Sequence, residues 1–212
     1  MKNFCFFLAG ILLMFNTLVH ADNIQKYNIL SKPVYIDSSK KPQVLEFFSF
    51  FCPHCYELES LYHVKDTIKK NLSKDVKIKR YHVDFIGDDL GPIATHAWAI
   101  AMVLGIEDKI ILNIFDDVQK KNIITDPESL KQAFIKAASI SSKDYDTAWD
   151  SFIVKALVAQ QQKATLDIDL KGVPIFLVNG KYMINNHAIN VTNVNHIANN
   201  YAKVAKFLIK KK

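Results

Sequence analysis

Two cysteines three positions apart, Cys52-Pro53-His54-Cys55, are the residues best placed to do chemistry. An apolar run from Val44 to Phe51 precedes them and a helical pattern follows from Pro53, so they sit where a strand becomes a helix. Cys52 falls at or just before the N-cap, and Pro53 suits the first helical position, where a missing N–H costs nothing. The unpaired N–H groups and dipole of that helix then face the Cys52 sulfur, and His54 adds positive charge when protonated. Each effect lowers the pKa of a thiol. The spacing also brings Cys55 close enough to close a disulfide with Cys52, and such a pair can exchange its bond with thiols of another protein. Two other uses are weaker. Zinc wants four ligands, usually from two such pairs, and there is one pair. A structural bridge across so short a loop would restrict the unfolded chain little. A redox-active Cys52-Cys55 disulfide is therefore expected, with no metal and no cofactor.

The surrounding chain agrees with that use. Lys2 precedes an apolar run from Phe4 to Phe15, and Val19-His20-Ala21 has the small or aliphatic −3 and −1 residues of a cleavage site. That is the pattern of a secretory signal peptide at 1–21, cleaved after Ala21, and the run is too short to span a bilayer, which takes about 20 apolar residues. An uncleaved anchor is the alternative. Removal leaves 191 of the 212 residues, soluble and long enough for one domain with an insert, with 26 basic and 21 acidic residues, a net charge of +5. The charge is mild and spread out, and no aromatic-basic interleaving points to nucleic acid. Cys5 leaves with the leader, so only Cys52 and Cys55 remain, whereas secreted proteins usually use cysteines as staples between distant segments.

The elements that must position the pair read as follows. Strands are expected near Pro33–Ile36, over 44–51 and over 77–85, with a helix from Pro53 to about Leu72 between the last two. This β-α-β unit favours a parallel pair. Helical spacing then takes over at 92–105 and 107–121. A helix start with capping-box spacing follows at Thr125 and Glu128, then another helix from Ser142 with Trp149, Phe152, Ile153, Ala156 and Leu157 on one side. Strand character returns at 172–178, turns at Asn179-Gly180 and runs back over 181–184. A last helix is expected from Thr192, as N-cap, to about Ile209. The simplest architecture is an α/β fold with an all-helical insert, divided as 22–85, 86–165 and 166–212.

The run Val44-Leu45-Glu46-Phe47-Phe48-Ser49-Phe50-Phe51-Cys52-Pro53-His54-Cys55-Tyr56 closely resembles the active-site segment of the DsbA family. Arg80-Tyr81-His82-Val83, Ala97-Trp98-Ala99, Ser151-Phe152, Leu157-Val158-Ala159-Gln160-Gln161, Gly172-Val173-Pro174 and Val178-Asn179-Gly180-Lys181-Tyr182 extend the likeness over nearly all of the chain after the leader. The resemblance implies a thioredoxin fold with an inserted helical domain and a protein disulfide oxidase of the periplasm. It implies reduced secreted proteins as substrates, a DsbB-like quinone-linked membrane partner that reoxidises the pair, and a monomer. The direction of the redox poise follows from the residues. Its size follows only from the resemblance, since the family is the reference case of a strongly lowered cysteine pKa.

Two more positions gain roles from the same likeness. Val173-Pro174 matches the family's cis-proline segment beside the disulfide, where substrate binds. A proline there removes a ladder donor and leaves an edge that could take an extended peptide by strand addition, although an ordinary strand-opening proline is the alternative. Glu46 stands inside an aromatic strand, where an unpaired buried carboxylate is costly. The family's matching residue helps move the proton of the second cysteine. Its partner there is commonly Lys, whereas this chain has Arg80, which stays charged and makes a rigid fork. The alternative is a structural Glu46 that reaches solvent. His63, His82, His96, His187 and His196 show no ligand spacing and read as structural or exposed.

Overall fold

A computed structural model describes residues 25–34, 42–189 and 196–211. The leader, residues 35–41 and Thr192 lie outside these. Among the described residues one five-stranded sheet runs in the order β1 (Tyr27–Ile29), β5 (Tyr182–Ile184), β4 (Ile175–Val178), β2 (Gln43–Phe48), β3 (Lys77–His82). β2 pairs parallel with β3 and antiparallel with β4, which places Glu46 opposite Arg80 on one side and Phe176 on the other. Every residue of β2 is buried, Gln43 and Glu46 included, as a largely apolar run suits in a central strand.

Two helices cover one face of β2. Val44 packs with Val64 and Ile68 of α2 (Val64–Asn71) and Leu208 of α8 (Ile197–Ile209). On the opposite face Leu45 and Phe47 meet Tyr81 and Leu177. Between β3 and β4 come five helices: α3 (Leu90–Leu104), α4 (Glu107–Gln119), α5 (Pro127–Ala138), α6 (Ser142–Asp150) and α7 (Phe152–Asp167). They share a core of Trp98, Ile100, Ile111, Phe115 and Phe134 with Phe48 and Phe50 from the sheet side. This block also covers the free edge of β3, which would otherwise expose unpaired backbone groups. The Trp98 indole donates to the Arg80 carbonyl at 2.9 Å, and Gln161 Oε1 accepts from the His82 N–H at 2.9 Å.

Six expectations shift. A first strand lies at Tyr27–Ile29; of the one expected over 33–36, Pro33 and Val34 are not in a strand, Val34 being held by its N–H on the Gly180 carbonyl, and residues 35 and 36 lie outside the described residues. The helix after Cys52 is two: α1 (Pro53–Ser60) ends where Leu61 and Tyr62 both donate to the Glu57 carbonyl, and left-handed His63 (φ 50°) redirects the chain into α2. The capping box of α5 is Asp126 and Ser129, one residue beyond the expected pair, because Pro127 takes N1 and makes Asp126 the cap. Extended Ser151 divides α6 from α7 and caps the latter, so Phe152 and Ile153 are exposed rather than part of a buried stripe. β4 begins at Ile175, after Pro174, and β3 stops at His82.

Candidate active site

A tight turn delivers the cysteines from β2 to α1. The Cys52 N–H donates to the Ser49 carbonyl at 3.1 Å, and the Phe51 N–H donates to Ser49 Oγ at 3.1 Å. Cys52 is extended (φ −96°, ψ 111°) and is the N-cap of α1, with Pro53 at N1 as the sequence implies. Its sulfur accepts from the Cys55 N–H at 3.2 Å, a donor left free by the helix start. Both cysteines are free thiols and both are buried.

Their environments pull the two pKa values apart. Cys52 is lowered to about 7, first by a hydrogen bond from the Cys55 thiol, then by the Cys55 N–H, the His54 charge and the His54 N–H, all acting against burial. Cys55 is pushed far up by burial, by its bond to Cys52 and by the negative charges of Cys52 and Glu46. His54 is half-exposed, with Nδ1 3.1 Å from Glu57 Oε2. The site can therefore hold charge on the outer sulfur and withhold it from the inner one.

The Val173–Pro174 peptide bond is cis, and the Val173 carbonyl oxygen lies 3.5 Å from Cys52 Sγ. The turn carrying it is tied down from behind. Asn186 Nδ2 donates to the Pro174 carbonyl at 2.5 Å, and the Tyr201 hydroxyl donates to Asn186 Oδ1 at 3.1 Å. A groove of about 390 Å³ runs along Gly172 to Ile175, bounded by Leu170, Met183 and Asn186.

Beneath the cysteines Glu46 is only 5% exposed, so it does not reach solvent. Arg80 Nε donates to Glu46 Oε2 at 2.8 Å, and Arg80 Nη2 donates to Glu59 Oε2. Burial pushes the Glu46 carboxyl up, opposed by the Arg80 charge. The buried Tyr201 hydroxyl is also pushed up, by burial and then by the charges of Glu46 and Cys55, so these groups share one interior site.

Glu59, Tyr201 and Asn186 escape a reading of the sequence, although Glu59 carries a signal. It lies four residues after Cys55, on the same face of α1. His82 is structural as expected, but closer to the chemistry than its spacing suggests. Its Nε2 accepts from the Phe50 N–H at 3.0 Å, and Nδ1–H therefore faces Thr95 Oγ1 at 3.0 Å. Burial lowers its pKa to about 3, so the ring is neutral and fixes the turn before Cys52. From the helical block Gln119 Nε2 donates to the Phe50 carbonyl at 2.7 Å, and the Tyr56 hydroxyl donates to Asp116 at 2.6 Å. Among the described residues no three His, Cys, Asp or Glu side chains group to hold a metal, and no helix is long and apolar enough to cross a membrane.

Known proteins are similar to this chain in sequence and fold. The profile of the DSBA-like thioredoxin domain matches residues 43–196. The thiol:disulfide interchange protein DsbA of Pectobacterium carotovorum subsp. carotovorum is 47% identical over 213 aligned residues, covering all of both chains. That of Escherichia coli K12 is 45% identical over the same span. The crystal structure of the disulfide oxidoreductase DsbA from Proteus mirabilis superposes with a TM-score of 0.80 at 41% identity, over 88% of this chain and 95% of that one. A Proteus mirabilis DsbA variant with a non-covalently bound peptide gives 0.81 at 40% identity, over 88% and 96%. With a thioredoxin fold, an inserted helical block and a cysteine pair at the start of α1, the chain belongs to the DsbA family and is a thiol:disulfide oxidoreductase.

Proposed function

We propose that this oxidoreductase works in the periplasm as a dithiol oxidase that donates its Cys52-Cys55 disulfide to newly secreted proteins. The observation that carries the reading is the split between the two thiols, Cys52 lowered to about 7 and Cys55 pushed up by burial. In the oxidised protein a substrate thiolate attacks Cys52 Sγ, the Cys52–Cys55 bond breaks, and the electron pair leaves on Cys55. That sulfur sits in a buried site and must take a proton, for which Glu46 is the carboxyl at hand, its ionised form held by Arg80 while Glu59 anchors the other side of the guanidinium. The substrate's second thiolate then attacks the substrate sulfur of the mixed disulfide, and Cys52 leaves as a stabilised thiolate. The substrate loses two electrons and the protein gains them.

Val173 and Pro174 present the substrate. The Val173 carbonyl beside Cys52 Sγ marks where an extended peptide would align along the groove, and one relative has a peptide bound non-covalently. His54 and Pro53 tune Cys52. Cleavage after Ala21 leaves a monomer of thioredoxin-fold segments 22–85 and 166–212 with the helical domain 86–165 between them. A DsbB-like quinone oxidoreductase of the membrane takes the two electrons back, and nucleic acid has no part in the cycle. The test is a redox equilibrium with glutathione, run beside oxidation of a reduced test protein and reduction of insulin. An oxidase comes to equilibrium mostly reduced, oxidises the test protein quickly and reduces insulin slowly. A potential as low as that of a reductase would overturn the reading.

A further inference from the structure

A second cavity, about 340 Å³ in volume, lies apart from the cysteines between α2, β3 and the junction of α3 with α4. Lys65 and Lys69 of α2, Lys74, and Lys79 and Arg80 of β3 line it, against two carboxylates, Glu107 and Asp108. Lys65 is already engaged, 2.5 Å from Asp108 and 3.2 Å from Asp66. Lys69, Lys74 and Lys79 make no ion pair among the described residues, so the cavity keeps uncompensated positive charge.

Arg80 gives the cavity a built end. Its side chain is 5% exposed, and two of its three nitrogens are used, Nε on Glu46 and Nη2 on Glu59. Nη1 is buried with no hydrogen-bond partner among the described residues. A buried donor without an acceptor is costly and rare, more so on a charged group. A lysine here would have no planar fork and no third nitrogen to leave over. A multi-oxygen anion answers both features: its charge meets the unpaired lysines, and a small shift of the Arg80 wall would open Nη1 to one of its oxygens. We propose that this cavity binds a phosphate-class anion, with Arg80 at its buried end and Lys69, Lys74 and Lys79 around its mouth. The phosphate can belong to a free ion or to a phospholipid headgroup.

Pyrophosphate titrated calorimetrically into the reduced protein at constant ionic strength tests this, beside flotation with vesicles of phosphatidylglycerol or of phosphatidylcholine alone. Replacing Lys69 and Lys74 together by Ser should weaken binding by roughly tenfold, the equivalent of one charge-assisted contact. The same loss of charge elsewhere, Lys136→Ser with Lys206→Ser, should leave binding unchanged. Arg80→Lys should weaken it as well, and where that variant melts early the lysine pairs decide alone. Binding of pyrophosphate identifies a free ion as the source. Binding confined to phosphatidylglycerol vesicles, and lost with Lys69 and Lys74, identifies a headgroup. No binding of either probe, or an equal loss in the Lys136 and Lys206 control, overturns the proposal. None of these readouts depends on thiol exchange, so the oxidase reading stands or falls separately.

Discussion

The backbone N–H of Cys55 donates to the sulfur of Cys52 at 3.2 Å, so in the proposed cycle the residue that closes the disulfide also stabilises its partner's thiolate once the bond opens. Cys55 is buried deep and pushed up while Cys52 is lowered to about 7, which suits the outer sulfur to attack by substrate and the inner one to resolution.

Cys52→Ser should therefore abolish oxidation of a reduced test protein. Cys55→Ser should instead accumulate mixed disulfides through Cys52, because nothing remains to resolve them from the inner side. Non-reducing gels of the Cys55→Ser protein with reduced and oxidised partners check this, and an absence of adducts would mean that the roles are reversed.

His54→Leu removes a charge that lowers Cys52 but leaves the Cys55 N–H in place. The Cys52 pKa should rise and the protein become less oxidising, by about 30 mV for each pKa unit. Thiolate absorbance against pH gives the first quantity and equilibrium with glutathione the second. An unchanged potential would show that the helix terminus alone sets the poise.

Pro174→Thr puts a backbone N–H and a hydroxyl into the segment whose Val173 carbonyl lies 3.5 Å from Cys52 Sγ. Substrate release should slow and mixed disulfides should persist several-fold longer in a chase with excess reduced substrate. Turnover at the wild-type rate, with no trapped complexes, would separate this segment from substrate handling.

Most of this was legible from side-chain type and spacing. Cys52 could be placed as an N-cap because Pro53 fixes where α1 starts, and β2 could be placed as a central strand because nothing between Val44 and Phe48 is polar except Glu46. What stayed hidden depends on distant chain segments meeting. Asn186 and Tyr201 brace the Pro174 carbonyl from elements that no local pattern links to it, and His82 reaches Phe50 across 32 residues of sequence. The misplaced boundaries have local causes instead. A left-handed His63 and an extended Ser151 break helices whose apolar spacing runs on past them.

Glu46→Gln keeps the shape of the side chain and removes its charge. Burial raises the folded pKa of Glu46 above 4.5, so the folded state holds that proton more tightly than the unfolded chain. The resulting stability is full below the unfolded value and is lost as pH rises through the folded one. Relative to wild type, the Gln variant should therefore gain stability as pH rises from mild acid to neutral. Paired urea titrations across that range check the sign. A constant difference would mean that Arg80 fully offsets burial.

The redox state should also set stability. Most disulfides stabilise by restricting the unfolded chain, but the loop from Cys52 to Cys55 is so short that the gain should be small. Against it stands the Cys52 thiolate, which exists only when the pair is reduced. Its pKa falls from 9.0 to about 7 in the folded protein, so it adds stability that is full above 9.0 and is lost as pH falls through about 7. Cys55 works the other way. Its raised pKa adds stability present below 9.0 and lost as pH climbs beyond it. The advantage of the reduced protein should thus be least in acid, already present at neutral pH, and greatest just below 9.0. Urea titrations of both redox forms in acid, at neutral pH and at mildly alkaline pH measure it directly. If the oxidised form were the more stable at neutral and mildly alkaline pH alike, Cys52 would not be a strongly stabilised thiolate and the protein would not be a strong oxidant.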